Sequence, residues 1–320
     1  MKHALLLLVL CADVNAPVRG FDAARADLLG EIAAGSRRVF SVAVSPDGRT
    51  IAVGGEERTV RLYATATRRE VRTFDTGGGS VYKVGFSGDG RHLIVLGVGG
   101  RNLHVFELAE GREVATIQGA TASLHGFAAS PDGRTFVAHV AGAYRTFDFA
   151  GLETGRVFQE GGAANSALGV AWSKDGRQVA TLQQSGLRVW DPAGSRELRS
   201  LAGEARGFFG VAFSPDGRRL VTGSPSGAVQ VWDIGADREA GAFNGHTGGV
   251  TAVEWSPDGR WIASAGRDGS VRLWRASEGA EVRRFEAHPG NAYALSFSRD
   301  GRLLVSGGGD GKVKLWGGSR

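Results

Sequence analysis

Cysteine is almost absent: the 320-residue chain has one, Cys11. It therefore closes no disulfide within itself and builds no cysteine-ligated zinc site. Lysine is scarce as well. Of 38 basic residues only Lys2, Lys83, Lys174, Lys312 and Lys314 are lysines, and no run of arginines is longer than two. The net charge of +5 is thus spread thinly, as on a solvated surface of mixed sign, and no nucleic-acid partner is expected. The apolar run Ala4–Leu10 is far too short to span a membrane, so no integral membrane segment is expected. Motifs that carry chemistry are missing too. There is no G-x-x-x-x-G-K-[ST], no H-E-x-x-H and no EF-hand loop. Gly223–Gly227 reads G-S-P-S-G, with Pro225 where a nucleophile elbow needs serine. Neither a metal nor a cofactor nor a catalytic residue is expected.

Glycine, by contrast, is plentiful at 51 residues, and part of it sits in a recurring phrase. S-x-D-G-R begins at Ser45, Ser87, Ser130, Ser173, Ser214, Ser256 and Ser298, at spacings of 42, 43, 43, 41, 42 and 42. In S-P-D-G-R, Pro suits the first bend of a turn, Asp can bond its own backbone, and Gly accepts positive φ. Each phrase lies between two short apolar runs, such as Val250–Trp255 before Ser256 and Trp261-Ile262 after Arg260. A Gly-rich turn follows, then an alternating strand ending in an aromatic, such as Val271–Trp274, and a fourth run, such as Glu281–Phe285. These are strands a, b, c and d of an all-β unit. A period of 40–45 residues built from four strands is the signature of a propeller.

Within strand a, the residues three and one before each Ser are mostly large (Val84/Phe86, Val253/Trp255), and those four and two before are mostly small (Gly169/Ala171, Gly210/Ala212). Large faces against small is what sheets crowded round an axis require. The last two units are the most regular. One carries Gly245-His246, Ser264, Asp268 and Trp274; the next carries His288, Ser306, Asp310 and Trp316. Units four and five keep Thr181 with Trp190-Asp191 and Thr222 with Trp232-Asp233, while Tyr63, Phe106 and Phe147 stand in the Trp position earlier. These units resemble the WD-repeat family of β-propellers over about residues 26–316. The resemblance implies a single seven-bladed β-propeller with four antiparallel strands per blade. It also implies that His246, Ser264, Asp268 and Trp274, and likewise His288, Ser306, Asp310 and Trp316, form structural tetrads rather than nucleophile–base–acid sets.

Trp316 is followed by four residues only, so the last blade lacks a strand d. Aligning Ser45 with Ser298 sets Leu28–Ile32 opposite Val282–Phe285, so the N-terminal strand is expected to close the ring in the last blade. Residues 1–16, with Lys2 before the apolar run and Val14-Asn15-Ala16 after it, read as a signal peptide. Residues 17–25 then read as a linker and 26–320 as the propeller. On this expectation the protein is exported, periplasmic or secreted; without cleavage it is cytoplasmic. Abundant Ala, Gly and Arg suit a bacterial source. Phe21-Asp22 offers a competing possibility, because it resembles Trp190-Asp191 in its distance to the next strand d.

Function is expected where strand a begins. Five residues before each Ser stand Phe40, Tyr82, His125, Leu168, Phe209, Thr251 and Tyr293, five of the seven aromatic or His. The resemblance implies that this end of strand a faces the channel mouth commonly used for partners. Phe40, Tyr82, His125, Phe209 and Tyr293, with Arg38 and Lys83 nearby, are therefore the expected surface for a protein or peptide partner of a non-catalytic scaffold. The plain alternative is that these rings cap blade cores. A second class, a hydrolase or lyase at the channel mouth, needs convergent carboxylates, histidines or a metal, and the ring offers His125 alone. Nothing in the sequence sets the oligomeric state, and a monomer is the expectation.

Overall fold

A computed structural model describes residues 21–97, 102–120, 126–158, 167–183, 186–201 and 209–318. These residues form seven sheets of four antiparallel strands each. Six follow chain order; the first, for example, pairs Val39–Val44, Thr50–Gly55, Thr59–Ala64 and Glu70–Asp75 in turn. Strand a of every blade touches strand a of the blade on either side, and blade seven returns to blade one, so the seven inner strands encircle one axis. This is a closed seven-bladed propeller.

The seventh sheet runs Ala26–Ala33, Lys312–Gly318, Leu304–Gly308 and Ala292–Phe297. The N-terminal strand thus supplies strand d of the last blade. Leu28 lies opposite Trp316 and Ile32 opposite Val313, with a bulge between Leu28 and Gly30. Within residues 17–25, the described part is itself seated on the fold. Phe21 is 3% exposed, its ring packs on Phe297 at 5.3 Å, and its carbonyl accepts from Trp261 Nε1 at 2.8 Å. Asp22 then caps the short 3-10 turn Ala23–Arg25. The signal-peptide expectation falls on residues 1–16, outside the described residues.

The core lies between blades rather than within them. Val221, Val229 and Val231 of blade five, for instance, form one cluster with Val250, Val253, Ile262 and Trp274 of blade six. Large does meet small there. A Cβ added to Gly85 would lie 3.0 Å from the Phe127 ring of the next blade, and one on Gly169 would lie 3.1 Å from Val211. Burial fades outward: strand b of blade one is buried over Ile51–Gly55, whereas strand d exposes all but Phe74.

All seven S-x-D-G-R phrases are a–b hairpin turns. Ser45 Oγ donates to Asp47 Oδ1 at 2.6 Å, that oxygen accepts from Arg49 N at 3.0 Å, and Thr50 N donates to Ser45 Oγ at 2.9 Å. The same three bonds recur in the other six turns. Their glycines take φ between +67° and +73°, the region that favours glycine. The turns also interlock. Pro215 Cδ lies 3.6 Å from where a Cβ on Gly259 would be, and Pro257 stands in the same relation to Gly301.

Candidate functional site

Six of the seven strands a begin with an irregularity; the described part of strand a in blade three, Phe127–Ala129, pairs regularly. Pairing with strand b skips Phe40 in blade one, Tyr82 in blade two, Leu168 in blade four, Thr251 in blade six and Tyr293 in blade seven. These are the positions five before Ser, and each is the unpaired residue of a β-bulge. Bulges re-aim a side chain away from the regular alternation. In blade five the skipped residue is Gly210 instead, at φ +71°, so the bulge is displaced by one residue beside Phe209.

The bulges bring three rings together. Phe40 meets Tyr82 at 5.5 Å and Tyr293 at 5.5 Å, edge to face in both cases. Blades two, one and seven, which are neighbours round the ring, thus contribute one cluster. All three rings are partly exposed. Tyr293 OH accepts from Asn291 Nδ2 at 2.8 Å, while Tyr82 makes no hydrogen bond to any described residue. Thr251 differs: it is 4% exposed and donates to the Ala265 and Ala292 carbonyls, bridging blades six and seven. His125 lies outside the described residues, as does the side chain of Phe209.

The two cations expected beside the rings are partly engaged. Arg38 is exposed and pairs with Glu56 at 3.4 Å. Lys83 turns its amine to the next blade, donating to the Phe127 carbonyl at 2.5 Å and lying 4.9 Å from the Phe127 ring centre. Burial pulls this amine down to about 7, so half of its charge is lost near neutral pH.

The polar sets of the last two blades are hydrogen-bonded chains. Trp274 Nε1 donates to Ser264 Oγ at 2.8 Å, Ser264 Oγ lies 2.8 Å from His246 Nε2, and His246 Nδ1 lies 3.0 Å from Asp268 Oδ1. In blade seven the same chain runs Trp316, Ser306, His288 and Asp310 at 2.9, 2.9 and 2.8 Å. Burial lowers the affinity of both imidazoles for a second proton, against the pull of Asp268 and Asp310. Neutral rings with Nδ1–H on the carboxylate satisfy every contact. Burial pushes Asp268 up, but bonds from His246, Thr247 N and Ser270 outweigh it and hold the carboxyl far below the usual range. One member was not legible in the sequence. Arg272, 4% exposed, joins Asp268 to Glu281 and extends the network of blade six. Among the described residues, no three His, Cys, Asp or Glu side chains gather as a metal site.

The family model described as WD domain, G-beta repeat, matches residues 28–64, 195–233, 238–275 and 279–317. Four of the chain's repeats are WD repeats, carried on a seven-bladed β-propeller. Each matched repeat straddles two blades, beginning in strand d of one and ending in strand c of the next, so the repeat boundary itself ties neighbouring blades together. The unmatched stretch 65–194 holds blades two and three and most of blade four; Phe106 and Phe147 stand at the Trp position in the first two of these, and Trp190 in the third. No curated protein matches the chain. WD repeats on a propeller point to a protein-interaction scaffold as the functional type, and no described helix is long and apolar enough to cross a membrane.

Proposed function

We propose that this WD-repeat propeller is a non-catalytic scaffold that captures a protein or peptide at the mouth where strand a begins, with Phe40, Tyr82 and Tyr293 as its anchor. The observation that carries this is the cluster of three bulged, partly exposed rings donated by three neighbouring blades. Aromatic side chains offer a large contact area with few rotors to immobilise, and they dominate binding hot spots. The bulges hold them ready before a partner arrives, which lowers the ordering cost of binding. Arg38 adds a positive group at the edge. The tetrads serve the scaffold: Ser264 and Ser306 are 0% exposed, out of reach of any substrate, and their bonds tie strands b and c to the preceding loop. Nucleic acid is not part of this proposal, since it would need clustered cations rather than rings.

The test is selection of binding peptides from a random display library against the whole chain, followed by measurement on Phe40→Ala/Tyr82→Ala/Tyr293→Ala. Loss of at least tenfold in affinity, with a melting temperature within a few degrees of the parent, supports the proposal. Unchanged affinity would return these rings to a purely packing role.

A further inference from the structure

The opposite mouth of the channel, inside the collar of S-x-D-G-R turns, holds a cavity of about 350 Å3 to which all seven blades contribute. That volume lies in the range of small-ligand sites, roughly 300–1,000 Å3. Its wall is apolar, formed by Trp172, Phe213, Trp255, Phe297 and the turn prolines, with the exposed cations Lys174 and Arg299 at its edge. Glu254 is the sole acidic residue in that wall.

Comparison between blades shows what Glu254 adds. It stands two residues before Ser256, and the same position in blade seven is Ser296. Ser296 Oγ accepts from Val44 N of the next blade at 3.1 Å; Glu254 Oε2 accepts from the equivalent amide, Phe297 N, at 2.9 Å. A hydroxyl therefore suffices to link two blades. The carboxyl brings a second oxygen, which meets no partner among the described residues. Burial raises this carboxyl to about 8, with the Phe297 amide opposing, so it is mostly protonated at neutral pH. The next residue in the strand also carries an unmet group. Trp255 is 7% exposed and its Nε1–H has no partner, whereas Nε1–H of the equivalent Trp172 donates to the Ala128 carbonyl at 3.1 Å.

We propose that this cavity binds a small zwitterion of the amino-acid type: its ammonium group against Glu254, its apolar stem against the rings and prolines, its carboxylate toward Lys174 and Arg299. Aromatic faces favour a desolvated cation, and an ammonium ion returns to Glu254 the charge that burial suppresses. Binding below pH 8 then releases a proton from Glu254, so affinity rises with pH by up to about tenfold per unit until the carboxyl is ionised. The face is distinct from the aromatic mouth, and its occupancy does not depend on the partner proposed there.

Calorimetric titration of the whole chain with 6-aminohexanoate, hexylamine and hexanoate tests this. The expected order is 6-aminohexanoate tightest, then hexylamine, with hexanoate weakest. Glu254→Gln weakens 6-aminohexanoate at least tenfold. Glu254→Ser, which keeps the blade link that Ser296 makes in its own blade, weakens it equally while leaving the fold intact. Hexanoate matching 6-aminohexanoate, an unaffected Glu254→Gln variant, or no binding by any of the three at millimolar concentration would each overturn the assignment.

Discussion

Ser264 serves two neighbours at once: it accepts the Trp274 indole N–H and donates to His246, while being fully buried. Ser264→Ala leaves both without a partner, and a buried unmet group costs about 1–3 kcal/mol. We expect Ser264→Ala to lower unfolding free energy by about 2–3 kcal/mol in urea titrations, against a smaller loss for Thr181→Ser, which preserves the bond to Trp190. Glu254 makes a prediction of opposite sign. Its folded-state affinity for a proton is raised to about 8, so between pH 4.5 and 8 the folded chain keeps a proton that the unfolded chain releases, and stability falls across that window. Glu254→Gln removes this loss. Its melting temperature should match the parent near pH 4.5 and exceed it at pH 8; a constant difference would contradict the assignment. At this scale His246, Asp268 and Trp274 were legible because they recur at fixed offsets from the turn. Arg272 and Glu254 were not: Arg272 has no counterpart in the blade-seven set, where Lys314 stands, and Glu254 acts on the Phe297 amide of the next blade, 43 positions on.

Elements show how local chemistry and tight packing differ in cost. Gly48 and Gly133 both sit in S-x-D-G-R turns with positive φ, yet a Cβ on Gly48 meets nothing within 4 Å, whereas one on Gly133 would lie 2.7 Å from Asp89 N. Gly48→Ala is therefore expected to cost about 1 kcal/mol, the backbone term alone, and Gly133→Ala measurably more by the same denaturation assay. The closing strand was legible from alignment with strand d of the other units, and Leu28–Ile32 does fall within Ala26–Ala33. The bulges were not: the sequence marked the positions of Phe40, Tyr82 and Tyr293, but not that pairing with strand b skips them. Nor was the seating of Phe21, whose ring meets Phe297 from 276 positions earlier in the chain. Phe21→Ala should cost about 3 kcal/mol, as large-to-small changes in cores do. Removal of residues 1–25 should accordingly destabilise the propeller more than removal of 1–20; equal melting temperatures would show that Phe21 contributes nothing.

For the whole molecule, the period of the turns counted the blades, since each hairpin marks one passage from strand a to strand b. A regular ruler of this kind made the architecture readable even where the repeats diverge, because Ser, Asp, Gly and Arg recur in all seven turns while the Trp position becomes Tyr63, Phe106 and Phe147. The two mouths of the channel were not equally readable. Aromatic residues at one offset pointed to the first; the cavity at the second arises from all seven blades together and has no local signal. The central claim, that the propeller captures a partner by the ring cluster, is tested most directly by hydrogen exchange with a library-selected peptide bound. The account predicts slowed exchange at residues 39–41, 81–83 and 292–294 and none at the turns beginning at Ser45, Ser87 and Ser298. Protection confined to those turns, or to the outer strands d, would contradict it.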